Sequence, residues 1–272
     1  MPPEWRPLID DFLSSQRAAG RPETTIYTRR QHLEHLARGI CSRPEDVSGD
    51  MLTSWAASQE WAPETRRSRR CTFRAFWAWA VSAERLTLNA GTALPRVKPA
   101  PPKVRAIPAD PLRQAIHDAD PRAALLLRLG AELGLRRAEI ARIHASDLTP
   151  DLMGWSLRVH GKGGRERMVP LPEPLSATLV KRLACGGWLF PGRCDGHLSP
   201  RYVGKLATRA LPEHWTTHAL RHRFAGVAHE ACGDLATVQD LLGHASPVTT
   251  RIYLPPNPAR ARAAMAAMAR AA

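Results

Sequence analysis

Apolar residues recur at helical spacing through the first hundred residues, with polar positions between them, and this period predicts amphipathic helices. Glu4 to Ala19 carries Trp5, Leu8, Ile9, Phe12 and Leu13 on one stripe, and Gly20 ends it. Thr24 to Arg38 repeats the pattern with Ile26, Leu33 and Leu36, and a shorter helix is expected over Met51 to Ser58. The helix predicted from Pro63 to Ser82 has two unlike halves. Thr65, Arg66, Arg67, Arg69 and Arg70 make its first half basic, and Phe73, Phe76, Trp77 and Ala80 form an apolar stripe in its second. Basic groups at a helix N-terminus oppose the macrodipole, so these charges either serve a partner or form a solvated face.

Between Leu94 and Pro111 the helical period stops. Prolines at 95, 99, 101, 102, 108 and 111 alternate with Arg96, Lys98, Lys103 and Arg105, a composition that resists helix and acts as a stiff spacer. The expected organisation is a helical domain over residues 1–94, a basic linker over 95–111 and a second domain over 112–272. In the second domain, Leu112 to Asp118 and Arg122 to Gly134 read as helices. The period then switches: Trp155 to His160 alternates, Gly161-Lys162-Gly163-Gly164 turns, and Arg165 to Leu171 returns, which predicts a β-hairpin. Helices resume near Ser199 to Arg209. The fold class expected is mainly α with a small β-sheet or hairpin.

Charge narrows the partners. Lys and Arg number 39 against 25 Asp and Glu, a formal net charge of +14. Nucleic acid is the first partner implied and an acidic membrane surface the second, against a plainly solvated basic surface. Arg outnumbers Lys, which codon bias in a GC-rich genome also produces. The five cysteines include no C-x-x-C pair, so neither a disulfide framework nor a zinc ribbon is expected. No leader and no membrane-spanning run is visible, and a reducing bacterial cytoplasm, close to the nucleoid, is the expected location.

Four clusters carry candidate chemistry. In Gly134-Leu135-Arg136-Arg137-Ala138-Glu139-Ile140 a glycine breaks one helix, and Arg136 and Glu139 fall on one face of the next, as a structural ion pair or a site. Lys162 stands among glycines at the hairpin tip, either solvated or free to reach a leaving group. The G-x-x-x-x-G-K-[ST] spacing of a nucleotide loop is absent. In Thr217-His218-Ala219-Leu220-Arg221-His222, His218, Arg221 and His222 share a helical face. Two histidines at i, i+4 can bind zinc, but Ala219 stands where H-E-x-x-H has Glu and Arg221 repels a cation, so a phosphate suits the group better. Finally, Leu242-Gly243-His244 leads through Ser246-Pro247, a good helix start, to Thr249-Thr250 and Tyr253. Taken alone, Tyr253 is equally a packing residue and His244 a helix cap.

In this order the clusters resemble the tyrosine recombinase (phage integrase) family: an arginine followed by an acidic residue, a hairpin lysine, H-x-x-R, then L-G-H and a tyrosine nine residues beyond that histidine. The resemblance covers most of the second domain, and more loosely the helical first domain resembles the family's core-binding domain. It implies a C-shaped clamp on DNA; the separate arm-binding domain that some phage integrases carry ahead of the core-binding one is the one feature not expected here. It implies that Arg136 and Arg221 neutralise a phosphate, that His218 takes the proton of Tyr253, that Lys162 protonates the leaving 5′-oxygen and that His244 bonds the phosphate, with Glu139 and His222 in support. The product would be a 3′-phosphotyrosyl link passing through a Holliday junction, with no cofactor and no metal. DNA-facing residues would be Thr24, Arg29, Arg30, Thr65, Arg66, Arg67, Arg69, Arg70, Lys98, Lys103 and Arg105. Partners would be double-stranded core or attachment sites, other protomers in a tetramer held by the Ala-rich tail, and accessory DNA-bending proteins, with no membrane. Integration and excision of a phage genome is the leading expectation. Xer-type or transposon resolution, a type IB topoisomerase and a non-catalytic DNA-binding regulator are the alternatives.

Overall fold

The computed structural model describes residues 1–99, 105–161, 163–212 and 215–243, together with 262, 265, 266 and 268 of the tail. Chain contacts separate two units, Met1–Pro101 and Pro102–Ala272. The first contains α1 (Trp5–Ala18), α2 (Glu23–Ile40), α3 (Gly49–Ala57) and α4 (Pro63–Ser82). The apolar stripes meet as expected: Trp5, Phe12, Leu33, Leu36, Phe76 and Trp77 are fully buried around one core. Trp5 lies parallel to Phe76 and edge-on to Trp77, and its indole N–H donates to the Ser42 carbonyl at 2.7 Å, which satisfies its one buried polar atom.

The second unit begins with α5 (Ala109–Asp118) and α6 (Pro121–Glu132). Here the proline reading needs correction. Pro111 lies inside α5, in a first turn whose N–H groups have no helical acceptor, so proline is tolerated there. Next come α7 (Arg137–Ala141), then β1 (Leu148–Asp151), β2 (Gly154–His160) and β3 (Glu166–Pro170), an antiparallel sheet in the order β1-β2-β3. The expected hairpin is β2–β3, paired Leu157 to Val169 and Val159 to Arg167. The sequence did not signal β1. It carries Pro150, whose missing N–H an edge strand tolerates, since among the described residues no strand lies beyond β1.

After the sheet come α8 (Glu173–Leu183), the short strand β4 (Pro191–Cys194), α9 (Pro200–Ala210), α10 (Thr217–Cys232) and α11 (Leu235–Leu242). Helices α6 and α10 approach closely at Gly130, where a Cβ would stand 2.8 Å from the Leu220 side chain. Among the described residues no helix is long and apolar enough to cross a membrane.

Candidate active site

The buried carboxylate of Glu139 ties several elements of the second unit together. Gly134 turns the chain at φ +63° after α6, and a side chain there would also meet the Phe224 ring. The turn brings Arg136 to the N-cap of α7, just before the helix rather than on it. Glu139, in the first turn, reaches back and accepts from the Arg136 backbone N–H at 2.9 Å and from its Nη1 at 2.6 Å. The Glu139 side chain is 2% exposed. Burial acts to raise its pKa, but the hydrogen bonds and charges of Arg167 and Arg136 outweigh it and hold the carboxyl below its ordinary value.

Arg167, on β3, is the residue that motif reading missed. Its Nη1 and Nη2 bond the two Glu139 oxygens at 3.1 and 3.0 Å, and its Nε donates to the Leu241 carbonyl at 2.8 Å. Strand parity carries a signal for it: side chains at i and i+2 share a face, and Val169 is buried. An arginine beside it on the inner face must have a partner.

Arg221 comes from α10 and stands beneath these groups. Its Nη1 donates to the Gly134 carbonyl and its Nη2 to that of Leu242, the latter at 2.6 Å, and it lies 3.9 Å from Glu139. Arg136 also approaches the Leu242 carbonyl, at 3.4 Å. The carbonyls at the end of α11 are therefore held by three arginines, just before Gly243 turns the chain at φ +63°. Side-chain exposure is 31% for Arg136 and 1% for Arg221. Arg136 is thus the more accessible of the two and Arg221 the more enclosed.

His218 starts α10, where the Thr216 hydroxyl accepts from its backbone N–H. The residue is exposed. Loss of hydration, then the charges of Arg221, Arg136 and Arg137, lower its pKa. It is a neutral base near pH 7, able to accept a proton. His222 packs edge-on against it at 5.6 Å, and burial followed by the charges of His218 and Arg221 lowers it to about 4. Lys162, His244 and Tyr253 lie outside the described residues. The flanking hairpin turn is closed by the Gly161 N–H on the Arg165 carbonyl at 2.7 Å.

Among the described residues one group could hold a metal ion: Cys194, Asp195 and His197, with ligand atoms within 4.8 Å of one another. It includes none of the three histidines of α10, His218, His222 and His229.

The candidate DNA-facing residues divide. In the first unit Thr24, Arg29 and Arg67 line one open groove of about 480 Å³ with Thr28, Glu64 and Ser68. Arg29 lies over the Phe12 ring and bonds Gln16, and Arg67 is paired with Glu64. Thr65, Lys98 and Arg105 are exposed, and Lys103 lies outside the described residues. The rest of the basic block does not form one outward face. Arg66 donates to the Ala56 and Gln59 carbonyls at the end of α3. Arg69 lies over the Trp61 ring at 4.6 Å and bonds His35, and Arg70 bonds the Leu94 carbonyl. Arg30 is paired with Asp10 at 2.7 Å and Glu34 at 3.8 Å. These side chains lie on the faces of their helices that pack within the unit, so their charges are spent on carbonyls, rings and carboxylates. A basic face that the sequence did not signal lies on α9, where Arg201, Lys205 and Arg209 are exposed with Tyr202 and the helix has no acidic residue.

Comparison with known proteins gives the family and the fold. The model of the phage integrase family matches residues 106–260. The tyrosine recombinase XerC of Methylobacterium nodulans is 35% identical over 291 residues, covering 91% of this chain and 87% of that protein. A second XerC, from Methylobacterium sp. (strain 4-46), is 42% identical over 154 residues, 52% of this chain and 45% of the relative. Among solved structures, a lambda integrase tetramer bound to a Holliday junction is similar, with a TM-score of 0.71 at 21% identity, over 88% of this chain and 77% of that one. At that identity the likeness carries the fold.

Proposed function

Because the chain belongs to the phage integrase family of tyrosine recombinases, we propose that its arginine cluster receives the scissile phosphate of a DNA site and that Tyr253 attacks it. The observation that carries this reading is the arrangement around Glu139: one buried carboxylate holds Arg136 and Arg167 in place, with Arg221 beneath and the neutral His218 beside them.

A phosphodiester repels nucleophiles, and a phenol is a weak one at its usual pKa of about 10. Arg136 meets the non-bridging oxygens. Arg221 carries five N–H groups, for which a phosphate competes with the carbonyls they now bond. Stabilisation grows as negative charge accumulates on the pentavalent phosphorus. His218 takes the phenolic proton, the Tyr253 oxygen bonds to phosphorus, and the bond to the 5′-oxygen breaks as Lys162 protonates it. His244 bonds the phosphate. The phosphotyrosyl link conserves the bond energy, so a 5′-hydroxyl from another strand reverses the step without a nucleotide cofactor. The positive groups here supply what a metal ion supplies in other phosphoryl transfers.

On this reading the partners are double-stranded core sites, gripped through the Thr24–Arg29–Arg67 groove, Lys98, Arg105 and the α9 face, and further protomers in a tetramer on two sites. Met265 and Met268 of the tail are exposed and available to a neighbour, and the lambda integrase tetramer is a structural precedent. The names of the relatives favour Xer-type resolution. Phage integration and excision is the second setting, which the family match and the order of motifs equally allow.

The test is a suicide substrate nicked beside the cleavage position. Wild type should form a covalent protein–DNA complex that Tyr253→Phe abolishes while DNA binding persists. An unchanged covalent yield in that variant would remove Tyr253 from the site. Two identical sites in direct repeat, compared with a non-identical attachment pair, would separate the Xer and integrase settings.

A further inference from the structure

The proposed reaction uses Lys162, next in sequence to Gly161 at the end of β2, Arg136, just before α7, and His244, next in sequence to Gly243 at the end of α11. One side chain touches all three elements. The guanidinium of Arg167 bonds both oxygens of Glu139, whose other partner is Arg136. Its Nε donates to Leu241 at the end of α11. Its length lies against Gly243, where a Cβ would stand 3.0 Å from Nη1 and 3.1 Å from Cδ. On the hairpin side, a Cβ at Gly161, the neighbour of Lys162, would stand 4.0 Å from the same Nη1. The side chain is 11% exposed, so a bound phosphate meets Arg136 before it.

We infer that Arg167 is a positioning residue that registers the hairpin carrying Lys162 against Arg136 and the L-G-H turn. The inference rests on the proposed reaction. A guanidinium suits the task because it is a planar fork that engages a carboxylate with two nitrogens and a carbonyl with the third. Lysine supplies the same charge as a point on a flexible stem and cannot make the three bonds in fixed geometry. Losing this brace shifts reacting groups by a fraction of an ångström to an ångström, and displacement on that scale lowers rates by about 100-fold without a matching loss of binding.

The test is Arg167→Lys in the full chain, measured by single-turnover covalent cleavage, by DNA affinity and by thermal melting. On an ordinary phosphodiester the cleavage rate should fall about 100-fold, with DNA affinity essentially unchanged and the melting transition lowered but still above the assay temperature. A second substrate carries sulfur at the bridging 5′ position, a leaving group that departs without protonation. If Arg167 places the hairpin lysine, this substrate should recover about tenfold or more of the lost rate, because general-acid help is no longer required. A wild-type rate overturns the inference. An equal loss on both substrates overturns the registration of the hairpin. Melting below the assay temperature makes Arg167 a fold residue and also overturns it. Tyr253→Phe runs alongside: a covalent complex in that variant would mean that the reading of the site itself has failed, whatever Arg167 does.

Discussion

Replacing Glu139 with Gln tests the organisation of the site by removing one charge at nearly constant volume. Glu139 accepts four hydrogen bonds of 2.6 to 3.1 Å, two from Arg136 and two from Arg167, with Arg221 at 3.9 Å. Without the carboxylate, three guanidinium charges face one another around a side chain 2% exposed. Removing one partner of a buried ionic group destabilises by about 3–5 kcal/mol, and the remaining amide oxygen places Gln near the lower end, about 3 kcal/mol. That is a large share of the roughly 5–15 kcal/mol that holds a typical domain. The assay is urea unfolding of the whole chain with hydrogen exchange read on β2, β3 and α10, because two units need not unfold together. The pH dependence provides a second reading. The folded pKa of Glu139 is lowered, so its contribution is complete above the unfolded value of 4.5 and is lost as pH falls through the folded value. The difference between wild type and Glu139→Gln should therefore narrow below pH 4.5. A variant within about 1 kcal/mol of wild type at pH 7, or a difference that stays constant into acid, would refute the hub.

Other outcomes follow from the same geometry. His218 is lowered from 6.5, so as a base it is competent at neutral pH; single-turnover cleavage should be flat near pH 7 and decline only below 6.5, and a limb centred above 6.5 would exclude it as the base. Gly134→Ala places a side chain at φ +63° against Phe224, which should destabilise the second unit by about 2 kcal/mol or more; a melting temperature equal to wild type would contradict the turn. Arg67→Ala should flatten the salt dependence of DNA binding by about one unit of slope. Arg66→Ala should leave that slope alone and lower the melting temperature of the first unit, because Arg66 bonds the Ala56 and Gln59 carbonyls; the reverse pattern would restore the basic block as one DNA-facing surface.

The sequence carried more of the helical elements than of the sheet. The helix predicted over Pro63–Ser82 has those bounds in the structure, because Pro63 suits a first turn and the apolar stripe behind it needs a core. β1 escaped notice since Leu148-Thr149-Pro150-Asp151 is short, lacks alternation and contains a proline, and only pairing with β2 makes it a strand. The Arg136–Glu139 contact was legible from spacing. Its form was not, since Arg136 stands before the helix and the carboxylate reaches back to it.

What the chain determined by itself was periodicity, turn chemistry and the order of its reactive residue types, because helical stripes, a glycine turn and H-x-x-R are properties of neighbours along the backbone. What only tertiary structure decided was the environment of each charge. Arg66 and Arg67 are adjacent in a basic run, yet one bonds carbonyls within the fold and the other lines an open groove. Arg167 has no motif, yet it joins β3, α7 and the end of α11. The physical reason is that a guanidinium acts through whatever lies within hydrogen-bonding distance, and those partners here are 28 and 74 residues away along the chain.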